Sequence, residues 1–327
     1  MATLLHLQGK RVGHFSSPHI LKFNERIWID GDDIDNNSLN IAHNRLYSIL
    51  GRDMSEALSY FEYTTLLALV AMEELDIIIL EAGLGGEFDA TNVVSKELSV
   101  ITPIGFDHQE FLGNSIKEIA STKLNSIEKR AIMGFQPYKE VYNIAKNIDA
   151  DIYFLDREEN ERVLALTKKL NWSYYLYENT LLALKALDIL SLPYNIEDLK
   201  YIKLFGRFYP ISPNITIDVG HNLLASKAIS KALKARYGDK KIVLVYNALK
   251  DKDYGAILNI LKPHIERVEI IPIDTNRALD ISLLEKELDR LSIEFNIFEN
   301  VNKDDIYLVF GSFFVVESFI KKYLPQI

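Results

Sequence analysis

A carboxylate and a glycine-rich loop follow one apolar run of the sequence. Glu81 comes directly after Asp76–Leu80, and Gly83, Gly85 and Gly86 follow it. Glycines let a backbone approach a ligand closely, and ligands of open α/β sheets bind at the carboxyl ends of strands. Burial of Glu81 would be costly without a metal ion or a cationic partner. A capping or ion-paired glutamate before a plain turn is the alternative, and spacing alone favours neither interpretation.

Hydroxyl and imidazole side chains follow two other apolar runs. Ser17 follows Arg11–Phe15, and His108 follows Leu98–Ile104. A serine hydroxyl opposite a carboxylate can bind Mg²⁺ beside a nucleotide phosphate, and a histidine past a strand end is a candidate ligand or acid–base group. Taken singly, a Ser-Pro turn and a loop histidine are the plainer alternatives. Their recurrence at several strand ends favours one shared cleft.

The second half of the sequence repeats this arrangement. Arg207 lies in FGRF, Asp218 and His221 lie in IDVGHN, and Ser312 lies in VFGSFF. A guanidinium can bind a phosphate, and a capped helix N-terminus can receive an anion. Plain helix caps and a surface arginine are the alternatives for these residues.

Short apolar runs alternate with amphipathic stretches, which indicates α/β domains with mostly parallel sheets and flanking helices. The predicted strands are Arg11–Phe15, Asp76–Leu80, Leu98–Ile104, Asp151–Leu155, Ile215–Val219, Lys241–Tyr246, Val268–Ile273, Glu294–Phe298 and Asp305–Phe310. The predicted helices include Tyr60–Glu74, Ser115–Lys129, Thr180–Ser191, Ala225–Tyr237 and Ser282–Leu291. Segment 192–210 interrupts the alternation with prolines and a glycine, and predicts domains at 1–203 and 204–327.

Composition limits the classes of partner. The 327 residues carry a net charge of -9 and contain no cysteine. An acidic balance argues against nucleic acid and anionic membrane surfaces as partners. The lack of thiols favours a reducing compartment, and we expect a cytoplasmic protein without a membrane span.

The ordered motifs resemble the folylpolyglutamate synthase/dihydrofolate synthase family of the Mur ligase superfamily. They are SSPHILKFNERI, SYFEYTT, LEAGLGGEFDATNVV, ITPIGFDHQEFLG, FGRF, DVGHN, KDKD and FGSFF. The resemblance implies a large N-terminal ATPase domain of Mur ligase type and a smaller Rossmann-like C-terminal domain. It also implies a monomeric ligase that uses ATP and Mg²⁺ to add L-glutamate to dihydropteroate or a folate through an acyl phosphate.

The resemblance also implies a role for each matching residue. It assigns Mg²⁺ to Ser17, Glu81 and His108, and catalysis to Glu81, to Lys123 as a carbamate, and to His221. Because histidine is an unusual Mg²⁺ ligand, that assignment rests on the family alone. The implied ATP contacts are Asn179, Arg207 and Asp218. The implied substrate contacts are Ser59, Tyr60, Phe61, Glu62, Phe88, Asp89 and Ala90 for the pterin, and Ser312 for glutamate.

Two other functions remain open at the level of sequence. A Mur ligase of cell-wall synthesis shares the ATPase core, but its resemblance does not extend to SSPHILKFNERI or SYFEYTT. A non-catalytic pterin-binding paralogue is favoured by one departure from the family. No G-x-x-x-x-G-K-[ST] phosphate loop occurs in the sequence, whereas the family carries GTNGKGS. A start at an internal Met, a truncation, or a natural loss of ATP turnover would each explain this, and we favour the first.

We therefore expect the 327-residue chain to bind ATP weakly and to turn over slowly or not at all. The backbone amides and the lysine of such a loop hold the β- and γ-phosphates. Glutamate-dependent ADP release, measured before and after upstream residues with the loop are restored, checks this expectation. Full activity of the 327-residue chain would contradict it.

Overall fold

The chain separates into two compact units, which are described one at a time. The computed structural model describes residues 1–156 and 160–323. The first unit comprises Met1–Leu170 and Leu176–Ile202, and the second comprises Asn171–Tyr175 and the described residues from Lys203 onward. Residues 324–327 of the predicted second domain lie outside the described residues.

The first unit is built from short strands and helices. Its strands are β1 (Val12–Phe15), β2 (Ile27–Ile29), β3 (Asp32–Asp33), β4 (Ile77–Leu80), β5 (Ser99–Ile101), β6 (Arg130–Met133) and β7 (Asp151–Phe154). Its helices are α1 (Ala2–His6), α2 (Asn36–Ala57), α3 (Tyr60–Met72), α4 (Gln109–Leu112), α5 (Ile116–Leu124), α6 (Lys139–Ala145), α7 (Glu161–Lys169) and α8 (Tyr174–Ile189), whose first residues belong to the second unit.

Two sheets organise the first unit. One has the order β3-β2-β1-β4, and the other has the order β5-β6-β7. Strands β1 and β4 are parallel with Phe15 opposite Leu80, whereas β2 is antiparallel to β1 and to β3. All pairs of the second sheet are parallel. Phe15 and Ile27 pack with α2 and α3 in one core, and α5 and α6 pack on the second sheet in another.

The second unit is a more regular α/β sheet. Its strands are β8 (Tyr209–Ser212), β9 (Ile215–Asp218), β10 (Ile242–Tyr246), β11 (Ile265–Ile270), β12 (Glu294–Ile297) and β13 (Tyr307–Phe310). They follow the order β12-β11-β10-β13-β9-β8, and only β8 is antiparallel to its neighbour. Its helices are α9 (Leu223–Tyr237), α10 (Tyr254–Leu261), α11 (Ile281–Arg290) and α12 (Phe313–Tyr323).

The predicted α/β class with mainly parallel sheets is confirmed, but strand bounds differ. The strand predicted at Leu98–Ile104 ends at Ile101, before Pro103, and the one predicted at Val268–Ile273 runs from Ile265 to Ile270, before Pro272. Proline has no amide hydrogen for a sheet ladder, which explains both ends. The prediction missed β2, β3, β6 and β8, all of which are short.

Side-chain caps determine where several helices begin. Ser59 and Glu62 form a capping box at α3, and Ser115 and Glu118 form another at α5. Each box satisfies backbone amides that the first turn of a helix leaves without partners. None of the helices in residues 1–156 and 160–323 combines the length and the apolar character needed to cross a membrane.

Gly311, at the end of β13, tests how tightly the second unit is packed. We expect Gly311→Ala to lower the free energy of unfolding by about 2–6 kcal/mol, from backbone strain and overpacking together. Its φ is 131°, and a Cβ there would lie 2.2 Å from the carbonyl oxygen of Asn247. Urea unfolding of the purified variant measures the change.

Gly238→Ala is the matched control for this substitution. Gly238 also has a positive φ, of 63°, but an added Cβ would meet nothing within 4 Å. The control should lose only the strain of its backbone conformation, about 1–3 kcal/mol. Equal losses in the two variants would show that the close approach to Asn247 is unimportant.

Candidate active site

Ser17 and Glu81 lie side by side beyond the ends of β1 and β4. The Glu81 amide donates to the Phe15 carbonyl at 2.9 Å, which continues the parallel ladder past Leu80. The Ser17 amide donates to Oε2 of Glu81 at 3.2 Å. Glu81 is exposed, so its carboxylate bears no cost of burial. The strand ends at Leu80, and the chain turns towards solvent at the next residue.

The glycine-rich loop after Glu81 packs directly on other elements. A Cβ at Gly83 would lie 2.4 Å from the Phe61 ring, and one at Gly86 would lie 2.9 Å from the Lys123 carbonyl oxygen. The Glu87 amide also donates to the Thr122 carbonyl at 2.9 Å. Glycines are therefore required here for close packing, and that packing holds the loop against the last turn of α5.

Lys123 is the half-buried cation of this region. Burial lowers the pKa of its ammonium group, and the nearby carboxylates of Asp107 and Asp89 partly oppose that shift. A lower pKa raises the fraction of neutral amine at a given pH, and the neutral amine is the form that reacts with carbon dioxide. Burial and the two carboxylates therefore act on the Lys123 pKa in opposite directions, and burial is the larger effect.

His108 adopts an uncommon backbone conformation just before α4. Its φ is 52°, in the left-handed region that non-glycine residues rarely occupy. Its amide donates to Oδ1 of Asp107 at 2.9 Å, and its Nε2 lies 3.9 Å from the same oxygen. The conformation places the His108 ring near the Asp107 carboxylate at the start of α4.

The predicted metal ligands include side-chain types that bind a divalent ion, but they include only one acid. Within residues 1–156 and 160–323, no group of three or more His, Asp or Glu side chains is placed to hold a metal ion. The predicted set contains only Glu81 and His108 of these types, and Ser17 would complete it. Hydroxyl and carboxylate oxygens are donors that Mg²⁺ prefers, so Ser17 and Glu81 fit such an ion, whereas the nitrogen of His108 is an unusual ligand for it.

Most of the predicted pterin contacts serve the local fold. The Ser59 amide donates to Glu62 at 2.7 Å within the α3 capping box. Asp89 is buried and accepts hydrogen bonds from the Leu84 amide and from Thr91. Phe61 is 5.9 Å from the Phe15 ring, and Ala90 begins a short 3₁₀ helix. Only two aromatic side chains of the set point outwards, Tyr60 at 60% exposure and Phe88 at 86%.

In the second unit, Asp218 is the most elaborately bonded of the predicted residues. Its carboxylate is buried and accepts from the Tyr175 hydroxyl at 2.9 Å, the Phe208 amide at 2.8 Å and the Gly220 amide at 2.7 Å. Burial raises the pKa of Asp218, and Arg207 and these donors oppose the shift. No sequence signal identifies Tyr175, because a tyrosine near a helix start has no characteristic spacing.

The other predicted residues of the second unit have distinct environments. The guanidinium of Arg207 lies 5.7 Å from the Phe313 ring centroid. The His221 ring contacts the Val219 carbonyl through Nδ1 at 3.1 Å. Ser312 is 2% exposed, and its hydroxyl accepts from the Val315 amide, as expected for a cap. In the first unit, Asn179 on α8 is exposed.

Polar side chains beyond the ends of parallel strands, beside a glycine-rich loop, are typical of a nucleotide-dependent α/β enzyme. No family model matches the chain. A dihydrofolate synthase/folylpolyglutamate synthase of Buchnera aphidicola subsp. Schizaphis graminum is 34% identical, over 97% of this chain and 82% of that protein. The protein of the same description from Haemophilus influenzae is 30% identical, over 98% of this chain and 84% of that protein.

Solved structures agree with these relatives. Helicobacter pylori folylpolyglutamate synthetase aligns with a TM-score of 0.77 and 37% identity, over 99% of this chain and 84% of that chain. The Yersinia pestis bifunctional synthase complexed with AMPPNP and Mn ion aligns with a TM-score of 0.81 and 28% identity, over 98% of this chain and 83% of that chain. Escherichia coli FolC in complex with DHPP and ADP aligns with a TM-score of 0.81 and 26% identity, over 98% of this chain and 84% of that chain. The chain belongs to the dihydrofolate synthase/folylpolyglutamate synthase family of ATP-dependent ligases that form C–N bonds.

Tyr175 provides a test of the environment of Asp218. We expect Tyr175→Phe to lower the free energy of unfolding by about 1.5–3 kcal/mol at neutral pH, where the hydroxyl donates to a charged carboxylate. Burial raises the pKa of Asp218 above its ordinary 3.8. Ionisation of Asp218 therefore opposes folding as the pH rises from that ordinary pKa through the raised pKa of the folded state. The loss in the variant should therefore shrink as the pH falls through the raised pKa. Urea unfolding across that pH range measures it.

Tyr194→Phe is the control, because Tyr194 also donates to a carboxylate, that of Asp188 at 3.0 Å, but near the surface. A loss below about 1 kcal/mol is expected there, as for exposed polar pairs. A pH-independent loss at Tyr175, equal to that at Tyr194, would contradict the account of Asp218.

Proposed function

We propose that this protein adds L-glutamate to dihydropteroate, to folates, or to both, in a reaction driven by ATP. The observation that carries the proposal is the pairing of Ser17 with Glu81 beyond β1 and β4, beside a loop that packs on Lys123. Membership of the ligase family supports the same reaction. The cysteine-free composition supports action in a reducing compartment, which we propose is the cytoplasm. The family resemblance implies a monomer that acts on small-molecule substrates.

Ser17, Glu81 and His108 would hold Mg²⁺, the metal predicted for the site. The bound ion would neutralise charge on the phosphates of ATP. Lys123 would serve as a carbamate, because its lowered pKa supplies neutral amine for that modification. A carbamate replaces the positive charge of Lys123 with a negative one, which removes the repulsion between that side chain and a cation.

Further predicted residues would position the substrates. Asn179, Arg207 and Asp218 would contact ATP, and His221 and Ser312 would act on the incoming glutamate. Because the Ser312 hydroxyl caps α12 and is nearly inaccessible, we propose that it acts by ordering the N-terminus of that helix. The pterin would contact segments 59–62 and 88–90, in which the exposed rings of Tyr60 and Phe88 offer stacking surfaces.

The reaction would proceed in two bond-forming steps. The free carboxylate of the pterin substrate attacks the γ-phosphorus of ATP, which forms an acyl phosphate and releases ADP. The glutamate amine then attacks the acyl carbon, loses a proton, and expels inorganic phosphate as the amide forms. Arg207 and the N-terminus of α12 would stabilise the negative charge that develops on the transferred group.

A substrate panel tests the proposed function directly. With any residues that its gene encodes before Met1 included, the protein should form ADP only when L-glutamate and dihydropteroate or a reduced folate are all present. A UDP-linked muropeptide with its amino acid should give no ADP. Activity with the muropeptide, or pterin binding without glutamate-dependent ADP formation, would replace the proposal with one of its two rivals.

Two substitutions connect that activity to the site. Glu81→Gln and Lys123→Arg should each lower kcat by about 100-fold or more, since each removes a group that organises charge at the reacting phosphate. Glu97→Gln is the matched control, because Glu97 is an exposed carboxylate of the same unit that pairs with Arg130. Equal activities of the three variants would exclude Glu81 and Lys123 from the mechanism.

A further inference from the structure

Arg26 is a buried cation whose charge is not matched by an acid. Only 8% of the residue is exposed. Among the residues that the structure describes, no carboxylate forms an ion pair with it, and its terminal nitrogens Nη1 and Nη2 make no hydrogen bond. Buried charges in proteins are normally paired, because an isolated ion is costly to remove from water. The terminal nitrogens of Arg26 are not among the fully buried side-chain atoms that lack a partner, so they keep access to solvent. A largely enclosed guanidinium without an acid, whose free donors are accessible, is suited to an anionic ligand.

The side chain of Arg26 is held in place by a histidine and two aromatic rings. Its Nε donates to Nδ1 of His19 at 2.8 Å. Its guanidinium carbon lies 5.5 Å from the centre of the Tyr60 ring and 5.9 Å from that of Phe23. Aromatic faces attract a guanidinium but do not cancel its charge. These contacts fix one nitrogen of the group and leave the other two as donors.

The nearest acid along the chain is directed elsewhere. The carboxylate of Glu25 accepts from the amides of Ile20, Leu21 and Lys22, at 2.7 to 2.9 Å. Both of its oxygens are therefore used to shape segment 16–26, which we call the Arg26 loop. The only other cation of this loop, Lys22, has a partner in Asp33 at 3.6 Å. Local interactions thus satisfy every other charge of the loop and leave Arg26.

The position of Arg26 connects it with the candidate active site. Its carbonyl accepts from the amide of Ser16 at 2.9 Å, and the next residue, Ser17, donates to Glu81. Tyr60, whose ring faces the guanidinium, lies in a segment proposed to contact the pterin. The backbone of Arg26 is therefore bonded to the segment that carries Ser17, and its guanidinium lies beside the Tyr60 ring.

We infer that Arg26 binds a spectator carboxylate of the acceptor substrate, the one that is not phosphorylated, and so determines specificity for glutamylated over non-glutamylated pterins. This inference rests on the proposed function. A single planar guanidinium matches a carboxylate in shape and charge, whereas a triphosphate requires several donors. Firm pairing would also weaken a carboxylate as a nucleophile, which favours the non-reacting group. Dihydropteroate has one carboxylate, whereas a folate with one glutamate has two.

Binding of matched ligands to the 327-residue chain tests the inference without ATP turnover. The probes are pteroic acid, folic acid, and folic acid with its α-carboxylate converted to an amide. We expect Arg26→Gln to raise the Kd for folic acid by about 10- to 100-fold, because the substitution removes one or two charge-assisted hydrogen bonds. Pteroic acid should be bound equally by both proteins. Lys22→Gln, on the same loop, should change neither affinity.

Comparing folic acid with its α-amide on the wild-type chain tests the inference without a variant. The α-amide should bind the wild-type chain with the same low affinity that folic acid has for Arg26→Gln. The affinity of the α-amide should be the same for both proteins, because amidation of the ligand and substitution of Arg26 remove the same interaction. Equal wild-type affinity for folic acid and its α-amide would overturn the inference even if Arg26→Gln fails to fold. So would an equal loss for pteroic and folic acid in a folded variant.

Two further outcomes separate the possible errors. A loss of affinity for free L-glutamate in Arg26→Gln, with folic acid unaffected, would assign the cation to the co-substrate and overturn the inference alone. Failure of the wild-type chain to bind either pterin would overturn the proposed function together with this inference.

Discussion

The parallel pairing of β1 with β4 is the constraint on which the candidate site of the first unit depends. Because Phe15 lies opposite Leu80, the residues that follow both strands emerge at one edge of the sheet, and the Ser17 amide reaches the Glu81 carboxylate. A slip of one residue would turn each side chain to the opposite face. The glycine loop then carries the chain from Glu81 to the backbone of Lys123, where only glycine fits.

The second unit uses the same geometry with different side chains. Strands β9 and β13 are parallel, with Asp218 opposite Phe310, and the Gly311 amide donates to the Gly220 carbonyl at 3.2 Å. The segments that carry His221 and Ser312 therefore begin side by side. The carboxylate of Asp218 lies at that point in a low-dielectric environment, where its hydrogen bonds are strong and any unsatisfied group would be costly.

Several residues that would contact substrates also hold the local fold together. Ser59 and Glu62 cap α3, Asp89 shapes the glycine-rich loop, and Ser312 caps α12. The loss of such a cap or buried hydrogen bond typically costs about 1 kcal/mol or more. A loss of activity at these positions therefore does not by itself establish contact with a substrate. Arg26 differs from them because its terminal donors hold no part of the loop together.

The sequence by itself determined the α/β class, the glycine-rich loop, the strand ends that precede Ser17 and Glu81, and the resemblance to the ligase family. These features depend on local periodicity and on motifs within short segments. Only the tertiary structure decided the exposure of Glu81, the hydrogen bond from Tyr175 to Asp218, and the position of Arg26 between two aromatic rings. It also decided the short strands β2, β3 and β6, because their hydrogen bonds come from partner strands that no local pattern identifies.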